Sequence, residues 1–346
     1  MKIEKKILIE NMPGLYAVGQ TTLDGEPYYI ASSEAPDGPV AVIHAETKEI
    51  HPIHGGKGGV MGIIPSVRKN TLLSIEEFYL GFNAPGSKII EIGLEKNNGK
   101  WEAASRKVVA EVPYLHRITL LKEADGYFVA AGKLCRKKVF TDDWSSAGLL
   151  EMIAYDGENV LGREELKEPI FKHHAMLTEK DGSGDIVYYG GTEGVFRTVR
   201  KDGSWETERL LDVPASEIVF TDLDGDGKRE LAIVEEFHGD KAVVFKDREG
   251  CFERAWEYPM KLGHVLYGGN IAGRCALVSG SREGRRDLSI HYFKNENGEI
   301  CLSETVTVAE GGGPSQIAVR DLGDRAEILT ANYAKGELAL YTVSEE

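Results

Sequence analysis

The sequence predicts an all-β fold, a seven-bladed β-propeller whose blades are four-stranded antiparallel sheets, and three observations carry that prediction. Short β-rich runs, with alternating or continuous apolar residues, follow one another from end to end, separated by clusters of Gly, Asp and Asn. Grouped, the runs fall into units of about 45 residues, a period at which propeller blades repeat. The last unit stops after three strands, and a β-like run near the N-terminus, Lys6-Ile7-Leu8-Ile9, is left to supply its fourth.

Composition fits one soluble domain over residues 1–346. Hydrophobic residues make up 42% of the chain, enough for a sizeable core, and the 28% charged fraction is not that of a disordered polymer. A formal net charge of −15 argues against nucleic-acid or anionic-membrane partners, which need a basic footprint. The first ten residues carry charge but no apolar stretch of the kind a secretory leader has, and no apolar run reaches membrane-spanning length. Cys135, Cys251, Cys275 and Cys301 show neither CxxC spacing nor the density of a disulfide framework, so reduced thiols in a cytoplasm are expected.

Blades are expected to start near Gly14, Gly58, Tyr114, Phe171, Ala215, Gly263 and Gly313. The fifth is the clearest. Ser216-Glu217-Ile218-Val219-Phe220 reads as its first strand and Glu230-Leu231-Ala232-Ile233-Val234 as its second; Lys241 to Lys246 and Glu253 to Trp256 follow. The seventh repeats the pattern with Gln316 to Leu322, Glu327 to Thr330 and Glu337 to Tyr341, then ends. Pairing the N-terminal strand with it closes the propeller without leaving an open sheet edge.

Between the first two strands of blade five lies the run Asp222-Leu223-Asp224-Gly225-Asp226-Gly227-Lys228-Arg229-Glu230-Leu231. Alternate carboxylates at Asp222, Asp224 and Asp226, on a backbone that glycine lets turn sharply, can wrap a hard cation, with Glu230 closing the shell. The plainer alternative is an Asp-rich turn satisfied by its own amides. This run resembles the FG-GAP/VCBS propeller repeat, whose signature is an acidic DxDGDG turn followed by an acid and an apolar strand. The resemblance implies a propeller with Ca²⁺ at the turn and says little about activity. Asp321-Leu322-Gly323-Asp324 and Asp181-Gly182-Ser183-Gly184-Asp185 look like worn copies.

The histidines carry the functional signal. Blade three opens with Tyr114-Leu115-His116-Arg117, blade four with Lys172-His173-His174-Ala175, and blade six with Leu262-Gly263-His264-Val265. Slid onto blade five, these place His116, His173 and His264 in one column, where Ser216 and Ser315 put hydroxyls. A one-residue shift exchanges His173 for His174. His54 lies in the corresponding loop of blade two, beside Lys57 in a glycine-rich stretch.

A single strand histidine is ordinarily structural. A repeated column is different, because equivalent positions on the innermost strands converge at the mouth of the central channel. Neutral imidazole is the commonest metal ligand, and Zn²⁺, Mn²⁺ or Fe²⁺ held by three of them keeps a position open for water or substrate. His116, His173 or His174, and His264 are the expected ligands. Loops between second and third strands, expected at the same face, add Glu76, Lys133, Arg136, His238 and Arg282 as substrate-binding candidates. Tyr267, His54 and Lys57 are the proton-transfer candidates.

A Lewis acid beside a base suits abstraction of a proton next to a carbonyl or carboxylate. The expected activity is a metal-dependent β-elimination on a sugar or keto-sugar, the work of a carbon–oxygen lyase. In general plan the propeller and its histidines resemble the propeller part of aldos-2-ulose dehydratase, and also oligogalacturonate lyase. That resemblance implies a propeller-bound metal and a small carbohydrate substrate. The alternative is a non-catalytic propeller that presents a face to a protein or glycan, its histidines hydrogen-bonded to backbone. No GxSxG elbow supports a nucleophilic triad, and glycoside hydrolysis would need a facing carboxylate pair that sequence does not display.

Overall fold

Seven four-stranded antiparallel sheets, each strand hydrogen-bonded to the next in sequence, make the chain an all-β propeller of seven blades. The structure is a computed structural model and describes every residue except Asp181, Ser183 and Glu346. Two residues of the expected worn turn at 181–185 therefore lie outside the described residues. The blades fall into two compact units, one of residues Met12–Asp212 and one of Met1–Asn11 with Val213–Glu346.

The first of these units holds blades one to four. Blade one is Leu15–Leu23, Glu26–Ser33, Val40–His44 and Ile50–Ile53; blade two is Gly62–Pro65, Thr71–Glu76, Lys88–Asn97 and Lys100–Glu111. Blade three is Leu115–Glu123, Gly126–Lys133, Leu150–Tyr155 and Val160–Glu165; blade four is Ala175–Lys180, Asp185–Gly191, Gly194–Lys201 and Ser204–Leu211. Within this unit the first strands of successive blades face one another. Between blades one and two, Leu23, Ile30, Val42, Leu72, Ile92 and Trp101 form an apolar layer, each such buried side chain contributing about 1.5–3 kcal/mol.

The other unit holds blade five (Ala215–Thr221, Glu230–Glu235, Lys241–Arg248, Cys251–Pro259) and blade six (Gly263–Ile271, Arg274–Ser281, Leu288–Glu296, Glu299–Ala309). Blade seven is Pro314–Asp321, Arg325–Asn332 and Glu337–Ser344, completed by the N-terminal strand Lys2–Ile9. Lys2 pairs with Ser344 and Lys6 with Leu340, as the missing fourth strand requires.

Local chemistry explains the regularity. Second and third strands are continuous apolar runs because both of their faces are covered: Leu231 to Val234 and Ala242 to Val244 are fully buried. Fourth strands are more exposed, and in blades one and four they alternate, since one face meets water. The hairpins use Asp24-Gly25, Asn98-Gly99, Asp202-Gly203 and Asn297-Gly298, each with positive φ at both residues, the geometry whose twist matches the flanking strands. All four cysteines are free thiols. Among the described residues no helix is long and apolar enough to cross a membrane.

Candidate functional site

At the start of the first strand of five blades the pairing to the second strand slips. The slip falls between Leu15 and Ala17, Leu115 and Arg117, Ala215 and Glu217, and Gly263 and Val265; in blade seven it falls between Pro314 and Ile317. The residues left over are Tyr16, His116, Ser216, His264 and, with Gln316, Ser315. A β-bulge leaves its extra residue outside the ladder and re-aims the side chain; these five are buried. The column read from the sequence is thus a column of bulge residues. In blade two that place goes to Met61, beside the Gly62–Ile75 pair, while His54 lies exposed in the preceding loop.

Blade four is longer by one residue. In blade three, Leu115 and His116 stand between Tyr114, whose carbonyl accepts from Leu134 N–H at 2.9 Å, and Arg117, which pairs with Gly132. In blade four, three residues (Lys172, His173, His174) stand between Phe171, whose carbonyl accepts from Thr192 N–H at 2.9 Å, and Ala175, which pairs with Gly190. The longer bulge separates the two histidines.

His174 meets His116 with ring centroids 4.7 Å apart, and Arg117 Nε donates to the His174 carbonyl at 3.0 Å. His173 instead turns into the packed interior. Its ring lies so close to Gly132 that a Cβ there would collide with it, and it stacks near Tyr189 with centroids 6.3 Å apart. Among the described residues neither of its ring nitrogens has a hydrogen-bond partner. Burial, helped by the charge of Arg117, pushes its pKa down to about 3. The alignment that put His173 in the column is therefore corrected to His174, because a fixed repeat period hides the extra residue.

The other unit holds a second imidazole pair. His264 Nδ1 lies 2.7 Å from the Ser315 carbonyl oxygen. A carbonyl only accepts, so Nδ1 is the donor of this contact. His238, in the loop after Glu230–Glu235, stacks on His264 at 5.1 Å, with Phe237 behind it at 4.2 Å. His238 thus stands with a column histidine as well as in its loop. Arg117 was passed over in the sequence, although it directly follows a column histidine; half-buried, it sets Nη2 3.5 Å from His174 Nδ1.

The remaining candidates are engaged with other parts of the protein. Glu76 is buried at the end of a strand, ion-paired with Arg106 and accepting from Ser74 Oγ at 3.1 Å. Lys133 bridges Glu151 and Glu165, 2.8 Å from each, and Arg136 reaches Glu165 at 3.2 Å. Arg282 lies over the Tyr333 ring at 3.9 Å, a cation–π contact. Lys57 is largely exposed and faces Glu77 at 3.5 Å. Tyr267 packs into the core of blades six and seven, and burial raises its phenol pKa.

The acidic turn of blade five is tightly folded on itself. Asp222 accepts from the N–H groups of Gly225 and Gly227, Asp224 from Asp226, Asp226 from Lys228, and Glu230 from Leu223, all between 2.8 and 3.1 Å. Lys246, on the third strand of the blade, points its ammonium into the same cluster.

The fold defines a β-propeller, and comparison with known proteins goes no further than that class. No family model matches the chain, and no curated protein does. Solved structures match along nearly its whole length. A chain in the crystal structure of BBS1N in complex with ARL6DN superimposes with a TM-score of 0.59 at 11% identity, covering 99% of this chain and 96% of that one. A chain in the crystal structure of the mitotic checkpoint complex gives 0.57 at 9% identity, covering 99% and 91%. At such identities the likeness is one of fold.

Proposed function

We propose that the chain is a metal-dependent carbon–oxygen lyase that acts on a sugar or keto-sugar, with Zn, Mn or Fe held by imidazoles of the bulge column. The observation that carries this reading is the pairing of imidazoles at the column, His116 with His174 and His264 with the loop residue His238. His264 shares a feature of metal-binding histidines, an Nδ1–H fixed on a backbone carbonyl. Bound there, the ion would supply Lewis-acid stabilisation of an enolate.

The protein's own groups divide the remaining work. Arg117 gives a carboxylate or a polarised carbonyl oxygen a positive partner beside His116 and His174. Tyr267, held protonated by burial, suits the role of acid toward the departing oxygen better than that of base. His54 and Lys57 remain loop residues open to solvent. The acidic turn supports reading blade five as a repeat of FG-GAP/VCBS type, and four free thiols support a cytoplasmic compartment.

Elemental mass spectrometry of the purified protein tests the proposal, comparing wild type with a folded His116→Ala/His264→Ala variant. Stoichiometric Zn, Mn or Fe in the wild type, lost in the variant, is expected; keto-sugars and uronates would then be screened for unsaturated products. A wild type without transition metal sinks it.

A second reading, docking of a protein partner, rests on a separate surface. Leu80, Val139 and Phe140 are 73%, 84% and 65% exposed and border a groove of about 490 Å³ floored by Phe82 and Tyr114. Exposed apolar surface of this kind marks interaction sites, and both fold relatives belong, by name, to protein complexes. A metal-free wild type whose partner binding is abolished by Phe140→Asp would favour it.

A further inference from the structure

The acidic turn of blade five offers eight carboxylate oxygens, from Asp222, Asp224, Asp226 and Glu230. Five of them accept backbone N–H groups: both oxygens of Asp222, Oδ1 of Asp224, Oδ1 of Asp226 and Oε2 of Glu230. The three that remain are the three facing one ammonium. Lys246 Nζ lies 2.5 Å from Asp224 Oδ2, 2.8 Å from Asp226 Oδ2 and 3.7 Å from Glu230 Oε1. Asn295, from blade six, adds a donor to Asp224 Oδ2 at 2.9 Å.

We infer that Lys246 is the resident cation of this turn, tethered to the chain, and that the blade keeps its acidic loop without calcium. Ca²⁺ needs six to eight oxygen ligands at about 2.3–2.6 Å. Here most of the oxygens are turned toward amides, two of the rest hold the ammonium at 2.5 and 2.8 Å, and Glu230 Oε1 faces it at 3.7 Å. An ion placed among them would meet the ammonium at contact range, and both would repel. The Lys246 and Asp224 side chains are 6% and 0% exposed, so the ammonium is enclosed rather than resting on a surface.

The titration behaviour agrees with that geometry. Burial favours a neutral lysine, yet hydrogen bonds to Asp224 and Asp226 outweigh it and hold the Lys246 pKa above its ordinary value. Glu230 goes the other way. Burial, with repulsion from Asp224 and Asp226, raises its pKa to about 7, as expected when one ammonium must serve three carboxylates. The backbone amides and one ammonium together meet the turn's acceptors from within the chain.

The test is calcium titration of the full-length protein after chelator treatment, read by calorimetry and by thermal unfolding. The wild type is expected to show no saturable binding and no shift in melting temperature between EDTA and about 1 mM Ca²⁺, a concentration at the weak end of natural sites. Lys246→Met keeps the apolar stem and removes the charge; it should melt lower in EDTA and recover on adding Ca²⁺, binding it at least about tenfold more tightly than the wild type. Saturable wild-type binding with a rise in melting temperature overturns the inference. So does a folded Lys246→Met protein that is indifferent to Ca²⁺. If that variant does not fold, acetylation of the wild type decides: Lys246 should stay protected equally in EDTA and in Ca²⁺, whereas calcium-induced reactivity would show an ion displacing it.

Discussion

Two regions of the molecule gather like groups and treat their charge in opposite ways. The turn of blade five collects four carboxylates and answers them from within, with amides and the ammonium of Lys246. The bulge column collects imidazoles: His116 and His174 stand beside a guanidinium, and His264, fixed on a carbonyl, stacks with His238 from a loop. A cluster whose acceptors are met by its own amides and ammonium holds a fold together. Imidazoles gathered at strand bulges, two of them beside a guanidinium, suit a ligand, and that difference is why we read the turn as structural and propose a function for the column.

The comparison can be broken at several points. Lys246→Met should have the largest effect, a loss of about 3–5 kcal/mol in denaturant unfolding at neutral pH, because it strands buried carboxylates; a loss under about 1 kcal/mol would mean that water serves the turn equally well. Next is Glu230→Gln. The folded pKa of Glu230, about 7, lies above the ordinary 4.5, so its contribution is fully present below pH 4.5 and is lost as pH rises through 7. The variant should be more stable than wild type at pH 8, by about 3 kcal/mol at most, and lose that advantage near pH 4.

His173 sharpens the contrast with its neighbour. Its folded pKa of about 3 lies below the ordinary 6.5, so its contribution is present above pH 6.5 and fades as pH falls. Between pH 7 and 5 the wild type should lose about 2 kcal/mol that a His173→Leu variant keeps, measured as the shift in urea midpoints; equal losses would place His173 in contact with water. Arg136→Ala should do least. Its ion pair with Glu165 is half open to solvent and such pairs contribute about 0–1 kcal/mol, so any larger loss in the same assay would assign Arg136 a role beyond the pair.

The fold was legible because it is repetitive: the apolar runs, the Asn-Gly and Asp-Gly hairpins and the orphan N-terminal strand each state a local rule that the propeller obeys. The column was legible as a pattern but not as a register. Its residues sit on bulges, where strand count and residue count part, and the additional residue at 172–174 cannot be weighed by a period of about 45. Met61 was missed for the same reason, since blade two reaches its bulge place with a short strand and a glycine-rich approach. Lys246 had a signal that went unused. It ends the apolar run Ala242-Val243-Val244-Phe245 on a strand buried on both faces, where a lysine demands a partner, and the blade's Asp-rich run lies upstream.

Blade seven binds the two ends of the chain into one sheet, with Lys2 against Ser344 and Ile7 against Ala339. Because these strands run antiparallel, the termini emerge side by side, and a load applied between them opens the ladder one hydrogen bond at a time instead of shearing all of them together. The seam that removes an open edge from the propeller is therefore its mechanical weak point under tension from the ends, while a load applied along the length of either strand would meet the whole row at once.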